Sequence, residues 1–253
     1  MLKSLSVWVG LMLFVIVNAA SAAEITVLCP GAVRSVVEEL AQGFQRDTGH
    51  TVKFEFGTAG ALQKRAAAGE AGDVVIVTAA GLENIIKQGK VVNGSGRDVG
   101  KVGVAVAMHP GMPLPDISTP EAFRQAMLAA KSVMYADPAL GGQSGIHTAQ
   151  VFEKLGIAEA MKPKTRLRPG APQGLVEVAK GEIEIGIGQM SEIVAAKGVQ
   201  LVGPLPRELQ NTLTFSAGLM AGARSAEAAR NFIELLVSPA AREKFKAAGF
   251  ALP

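Results

Sequence analysis

The residues best placed to do chemistry recur at one position, directly after short β-branched runs and directly before alanine-rich stretches. They are Cys29-Pro30-Gly31-Ala32 with Arg34 just beyond, Gly57-Thr58-Ala59-Gly60, Thr78-Ala79-Ala80-Gly81, Gly141-Gly142-Gln143-Ser144-Gly145, Gly170-Ala171-Pro172-Gln173-Gly174 and Gly188-Gln189. Small residues there leave the first backbone N–H groups of a following helix uncovered, and a helix N-terminus favours an anion. Thr58, Thr78 and Ser144 add hydroxyls, and Gln143, Gln173 and Gln189 add amides that both donate and accept. One such turn alone is ordinary strand-to-helix geometry, in which Gly and Thr merely permit a tight bend. As a set, on the carboxyl side of parallel strands, they form a candidate anion site. Its expected ligand contacts are Gly31, Ala32, Arg34, Thr58, Ala59, Thr78, Gln143, Ser144, Gln173 and Gln189.

Catalytic patterns are mostly absent. Gly142-Gln143-Ser144-Gly145 misses a nucleophile elbow because Ile146 stands where its last glycine is needed. Ser144 and His147 share a helix face with no third residue to orient the imidazole, so His147 reads as a polar cleft or surface residue. His50, His109 and His147 are scattered without metal-ligand spacing, and neither a phosphate-binding P-loop nor a dinucleotide fingerprint occurs. We therefore expect no metal, no cofactor and no catalytic residue. Trp8 is the one tryptophan and Tyr135 the one tyrosine, which argues against sugar stacking and against a ferric site of paired tyrosinates. Lys64, Arg65, Arg166 and Arg168 read as solvated side chains, whereas Arg34 opens the first helix and keeps a functional weight.

The elements that position these turns follow a βα rhythm. Strands are predicted at Ile25–Leu28, Val52–Phe56 and Val74–Thr78, each feeding a helix (Val33–Arg46, Ala61–Ala68, Leu82–Gln88) stopped by glycine. Val102–Met108 is a further strand. The rhythm restarts with helix Glu121–Ala130, strand Ser132–Ala136, helix Gly145–Leu155, strand Thr165–Arg168, helix Gln173–Ala179 and strand Ile183–Gly188. Strands Val199–Val202 and Thr212–Met220 and two final helices complete the chain. This pattern calls for an α/β fold with mainly parallel sheets covered by helices. Two parallel units with strand-like segments between them suit a bilobed protein. We place lobe I at 24–103 plus 216–253 and lobe II at 104–215.

The ends and the charge bound the setting. Lys3, an apolar run from Val7 to Val17 and Ala20-Ser21-Ala22 read as a secretory signal peptide over residues 1–23, cleaved near Ala22/Ala23. The run is too short to span a bilayer. The mature chain is expected to be a soluble exported monomer. Without Lys3 the formal charge falls from +3 to +2, with no basic block, which excludes nucleic acid as a partner. Cys29 has no intrachain partner and reads as a buried or half-buried thiol.

With those residues in view, the chain resembles the periplasmic molybdate-binding proteins of ABC importers, a branch of the type II solute-binding class. The resemblance spans nearly all the mature chain. It is carried by Ile25-Thr26-Val27 through Val36-Val37-Glu38-Glu39-Leu40-Ala41, by Phe44 to Phe56 into Gly57-Thr58-Ala59-Gly60-Ala61-Leu62, and by Gly72-Asp73-Val74-Val75-Ile76, Ala136-Asp137-Pro138 and Val178-Ala179-Lys180-Gly181-Glu182. It implies a two-lobed fold on two crossing strands, closure on a small anionic ligand and presentation to a membrane permease. Where that family places a contact serine this chain has Ala32, its second serine falls in the loop holding Thr58 and Ala59, and its tyrosine aligns with Gln189. Ser144 and Gln173 fall near its backbone contacts. The glutamines suit a larger, carboxylate-bearing ligand as well as an oxyanion. The scaffold also resembles an exported aconitate isomerase. That alternative needs an acid–base group, with His147 or Asp137 available, although Asp137 before Pro138 also suits a turn cap.

Overall fold

The computed structural model describes residues 22–251; the expected signal peptide lies outside the described residues except for its last two positions. From β1 (Glu24–Pro30) a short 3-10 turn, Gly31–Val33, leads into α1 (Arg34–Thr48). Val36, Val37, Leu40, Ala41 and Phe44 form the buried stripe of α1, and Gly49 closes it in the left-handed region at φ 75°. There follow β2 (Thr51–Gly57), α2 (Ala59–Ala67), β3 (Val74–Thr78), α3 (Ala79–Lys87) and the long β4 (Arg97–Met108). The second half runs α4 (Pro120–Ala129), β5 (Val133–Ala136), α5 (Gln143–Lys154), α6 (Ala158–Met161), β6 (Thr165–Arg168), α7 (Ala171–Ala179), β7 (Ile185–Gln189), α8 (Met190–Ala195) and β8 (Gln200–Pro204). The chain ends with β9 (Thr212–Leu219), α9 (Ala226–Leu236) and α10 (Pro239–Ala247).

These elements build two α/β lobes that share one strand. The strand order is β2-β1-β3-β9-β4-β7-β5-β6, with β8 also paired to β4. β2, β1 and β3 are parallel, as are β6, β5 and β7, whereas β9, β4 and β8 run antiparallel to their neighbours. β4 pairs with β9 from Arg97 to Gly103 and with β7 from Val104 to Met108, so this strand passes from one sheet into the other. The chain returns through the segment between Pro204 and Thr212.

Each sheet has its own apolar core. In the first lobe α1, α9 and α10 cover one face through Phe44, Phe232 and Phe245, while Leu62, Leu82 and Ile85 cover the other. In the second, Phe123, Met127 and Phe152 pack on Val106, Val133 and Ile187. Asp73, buried at the head of β3, ties the first lobe together. Its carboxylate accepts the N–H groups of Thr26 at 2.8 Å, Arg224 at 2.7 Å and Ser225 at 3.0 Å.

Two differences from the sequence pattern bear on the site. α2, α3, α5 and α7 begin at Ala59, Ala79, Gln143 and Ala171, two or three residues before their predicted starts. The small residues read as loop are therefore the first turns of the helices themselves. α6 and α8, of 4 and 6 residues, were not predicted, since neither is long enough to show a helical period.

Candidate functional site

A cavity of about 260 Å3 lies between the two lobes. One wall is Pro30, Gly31, Ala32 and Arg34 from the end of β1 and its turn, with Phe56, Gly57, Thr58 and Ala59 from β2 and α2. The opposite wall is Gly142, Gln143 and Ser144 from the start of α5, Pro169 to Gln173 around the start of α7, and Gln189 and Glu192 at the junction of β7 and α8. Nine of the ten expected contacts thus surround one space.

The exception is Thr78. Its hydroxyl caps α3 by accepting the Gly81 N–H at 3.2 Å, and it does not line the cavity. Thr58 also caps its helix, accepting the Ala61 N–H at 3.2 Å, but its hydroxyl donates across the cleft to the Leu140 carbonyl. Beside it the Gly60 N–H donates to the Gly141 carbonyl at 3.3 Å, so the two lobes touch at the mouth. Deeper in, buried Ser191 donates its hydroxyl to the Ala32 carbonyl at 2.6 Å.

Side-chain capping differs among the helix starts, and at the cavity α2 alone has a Thr cap, from Thr58. α3, α4 and α10 carry side-chain caps from Thr78, Thr119 and Ser238. The turn leading to α1, and α5 and α7, start from Pro30, Gly142 and Gly170 with no side-chain cap. Their first amides stand at the cavity wall without a side-chain acceptor, an arrangement suited to an anion. Of the basic residues named from the sequence, only Arg34 lines the space. Its guanidinium bonds Glu38 at 3.1 Å and lies 4.1 Å from the centre of the Phe56 ring. Arg168 is held by Glu177 and Arg65 by Glu70.

Gln189 is 3% exposed; its side chain faces the Glu192 N–H in a capping-box arrangement without completing a hydrogen bond, and neither its oxygen nor its nitrogen has a partner within hydrogen-bond geometry. A buried primary amide left unpaired costs about 1–3 kcal/mol, so its place on the cavity wall marks where a polar ligand group would bind. Glu192 is three residues on. Its Oε2 accepts the Gln189 backbone N–H at 3.0 Å, and burial pushes its carboxyl up to about 7 against the weaker pull of that N–H. Oε1 lies against the first wall, 2.7 Å from where a Cβ on Gly31 would stand, a proximity that only glycine permits.

Glu192 and Phe56 escaped the sequence reading. Gln189-Met190-Ser191-Glu192 has the spacing of a helix-start capping pattern, and that signal would have exposed the acid had α8 been recognised. The two acid–base candidates from the sequence are engaged elsewhere. His147 Nε2 lies 2.6 Å from the Leu209 carbonyl, Asp137 accepts the Ala139 N–H at 2.9 Å, and neither lines the cavity. Cys29 is fully buried and burial raises its thiol far above the ordinary range, so it is inert. Among the described residues no group of acidic, His and Cys side chains could hold a metal ion, and no helix is long and apolar enough to cross a membrane.

Two α/β lobes joined by a shared strand around an interlobe cleft define a periplasmic-type binding-protein fold. The structure superposes on the periplasmic molybdate-binding protein of Azotobacter vinelandii with a TM-score of 0.77 at 20% identity, covering 90% of this chain and 99% of that one. Residues 25–251 match the family model described as bacterial extracellular solute-binding protein, and the chain belongs to that family. An aconitate isomerase from Pseudomonas sp. is 31% identical over 89% of this chain and 86% of its own length. The molybdate-binding protein ModA of Escherichia coli K12 is 24% identical over 92% and 91%, respectively.

Proposed function

We propose that this protein is exported, with cleavage near Ala22/Ala23, and captures a small carboxylate-bearing anion in the interlobe cleft for the membrane permease of an ABC importer. The lobes are residues 24–103 plus 216–253 and residues 104–215, closing as a monomer about the shared strand. The observation that carries this reading is the pairing of uncapped helix starts at α1, α5 and α7 with the unpartnered Gln189 amide around one cavity. Binding energy comes from those amides, from the hydroxyl of Ser144 and from Arg34, and closure excludes water from them. The amides of Gln143, Gln173 and Gln189, which both donate and accept, favour an organic acid over a tetrahedral oxyanion.

A second reading is an allylic isomerase of a tricarboxylate. It is favoured by the 31% identity to the aconitate isomerase and by Glu192, the one carboxyl group on the cavity wall among the described residues. Such a reaction moves a proton between two carbons of one substrate, a task for a carboxyl poised near neutrality.

Thermal unfolding with molybdate, tungstate, sulfate, phosphate, citrate and trans-aconitate tests the first reading. A ligand at a hundred times its Kd adds about 2.7 kcal/mol, or roughly 5–10 °C for a chain of this size. We expect a di- or tricarboxylate to do so, and no shift with any anion at millimolar concentration overturns the reading. Incubation with trans-aconitate followed by NMR separates the two: appearance of the cis isomer establishes the enzyme, and saturable binding without conversion establishes the carrier.

A further inference from the structure

We infer that Glu192 is the specificity-determining proton donor of the cleft, giving its proton as a hydrogen bond to an acceptor oxygen of the anion held beside the Gln189 amide. The inference rests on the anion-site reading above and adds to it that capture requires a proton on this side chain.

The geometry assigns each oxygen a task. Oε2 is occupied by the Gln189 N–H, whereas Oε1 faces the Gly31 wall, where a side chain on residue 31 would collide with it. Gln189 places an unpartnered amide, 3% exposed, on the same wall, so acid and amide form one polar face. A carboxylate only accepts, so the donors this face offers it are the Gln189 amide N–H groups and the O–H of a protonated Glu192.

Among the described residues no cation is paired with Glu192. Of the charged groups on elements packed against it, Arg34 on α1 is paired with Glu38, Lys197 follows α8 beside an outer recess that Glu192 also lines, and Glu177 on α7 is bonded to Arg168. Among the described residues none forms an ion pair with Glu192. An ionised carboxylate there would stand without a counter-charge beside an incoming anion, and both would lose hydration. The neutral acid turns that repulsion into a hydrogen bond. The recess lined by Pro172, Leu175, Val176 and Lys197 gives the acid a side towards solvent through which it exchanges its proton.

Calorimetric titration of the mature chain with trans-aconitate and with molybdate at pH 6 and pH 8.5 provides the test. With an acid that titrates near 7, affinity should fall up to about 30-fold between those values, and binding at pH 8 should take up close to one proton, read from buffers of different ionisation enthalpy. Glu192→Gln supplies a permanent neutral donor. It should keep the pH 6 affinity within about threefold and remove the slope, and because the same anion is used, the ligand's own protonation cancels in the comparison. Gln189→Met should weaken binding at both pH values and leave the slope in place. A slope that persists in E192Q, or wild-type binding with no proton uptake, overturns the assignment while leaving the anion site standing. Failure of the wild type to bind either anion or any carboxylate at pH 6 overturns the anion reading itself. Absence of proton uptake by the wild type overturns the assignment even if E192Q does not fold.

Discussion

The side-chain amide of Gln210 hydrogen-bonds both backbone groups of Val104. Oε1 accepts the Val104 N–H at 2.8 Å and Nε2 donates to the Val104 carbonyl at 2.8 Å. Val104 is where β4 leaves β9 and begins to pair with β7. At such a change of partners a strand risks losing a ladder neighbour, and here a primary amide reproduces the donor–acceptor pair of a backbone peptide. Gly103 makes room for it, since a Cβ there would stand 3.0 Å from the Gln210 amide. The Val104 carbonyl also accepts the Leu205 N–H at 3.1 Å, so we expect Gln210→Ala to leave the Val104 N–H without its acceptor, lower stability by about 1–3 kcal/mol and speed amide exchange at Val104. Unchanged exchange there would show that the clamp is dispensable.

Gly60 and Gly141 meet at the mouth of the cleft. A Cβ on Gly60 would lie 3.0 Å from the Gly141 Cα. Gly60 lies in the first turn of α2, where Ala is intrinsically better by up to about 1 kcal/mol. Gly60→Ala should therefore hold or raise stability while prying the lobes apart. Small-angle scattering should report a larger radius of gyration, and anion affinity should fall about tenfold; unchanged affinity and radius would remove the latch from the mechanism.

The pH dependence of stability carries a defined sign. Glu192 titrates near its ordinary value of 4.5 when unfolded and at about 7 when folded, so the folded state holds the extra proton. Its contribution is fully present below about pH 4.5, is lost as pH rises towards 7, and changes no further above that. Glu192→Gln does not titrate, so its stability relative to wild type should rise across this window by up to about 3 kcal/mol. Urea melts at pH 4.5, 6 and 8 measure the difference, and a constant value would sink the assignment.

Asp73 binds three backbone N–H groups from β1 and the approach to α9. Hydrogen bonds to a charged acceptor contribute more than neutral ones. Asp73→Ala should destabilise the chain by about 3–5 kcal/mol, visible in the denaturant midpoint. Because the residue does not line the cavity, anion affinity measured well below the transition should stay within about twofold.

Most of the fold was legible because hydrophobic periodicity survives in single elements. Val74 to Thr78 is an apolar run of strand length, and the stripe from Val36 to Phe44 repeats at helical spacing. Helix starts were not legible to the residue, because Ala59, Gln143 and Ala171 carry no apolar signal to mark a first turn. The polar start of β4 at Arg97-Asp98 reads as loop, and only pairing with Ala217 and Ser216 makes it strand.

Sequence alone supplied most of the residues that line this space: glycine-rich helix starts, the glutamines and Arg34. Those features are local, written by backbone permissiveness and composition. Selection among equivalents belonged to the tertiary structure. Thr58 and Thr78 end parallel strands and cap the next helix in the same way, yet only Thr58 reaches the opposite lobe, at Leu140, while Thr78 stays with Gly81. Glu192 became an acid near neutrality because packing against the first lobe removes water from it. Desolvation and contact across a cleft depend on residues more than a hundred positions apart, such as Gly31 and Glu192. No local pattern encodes them.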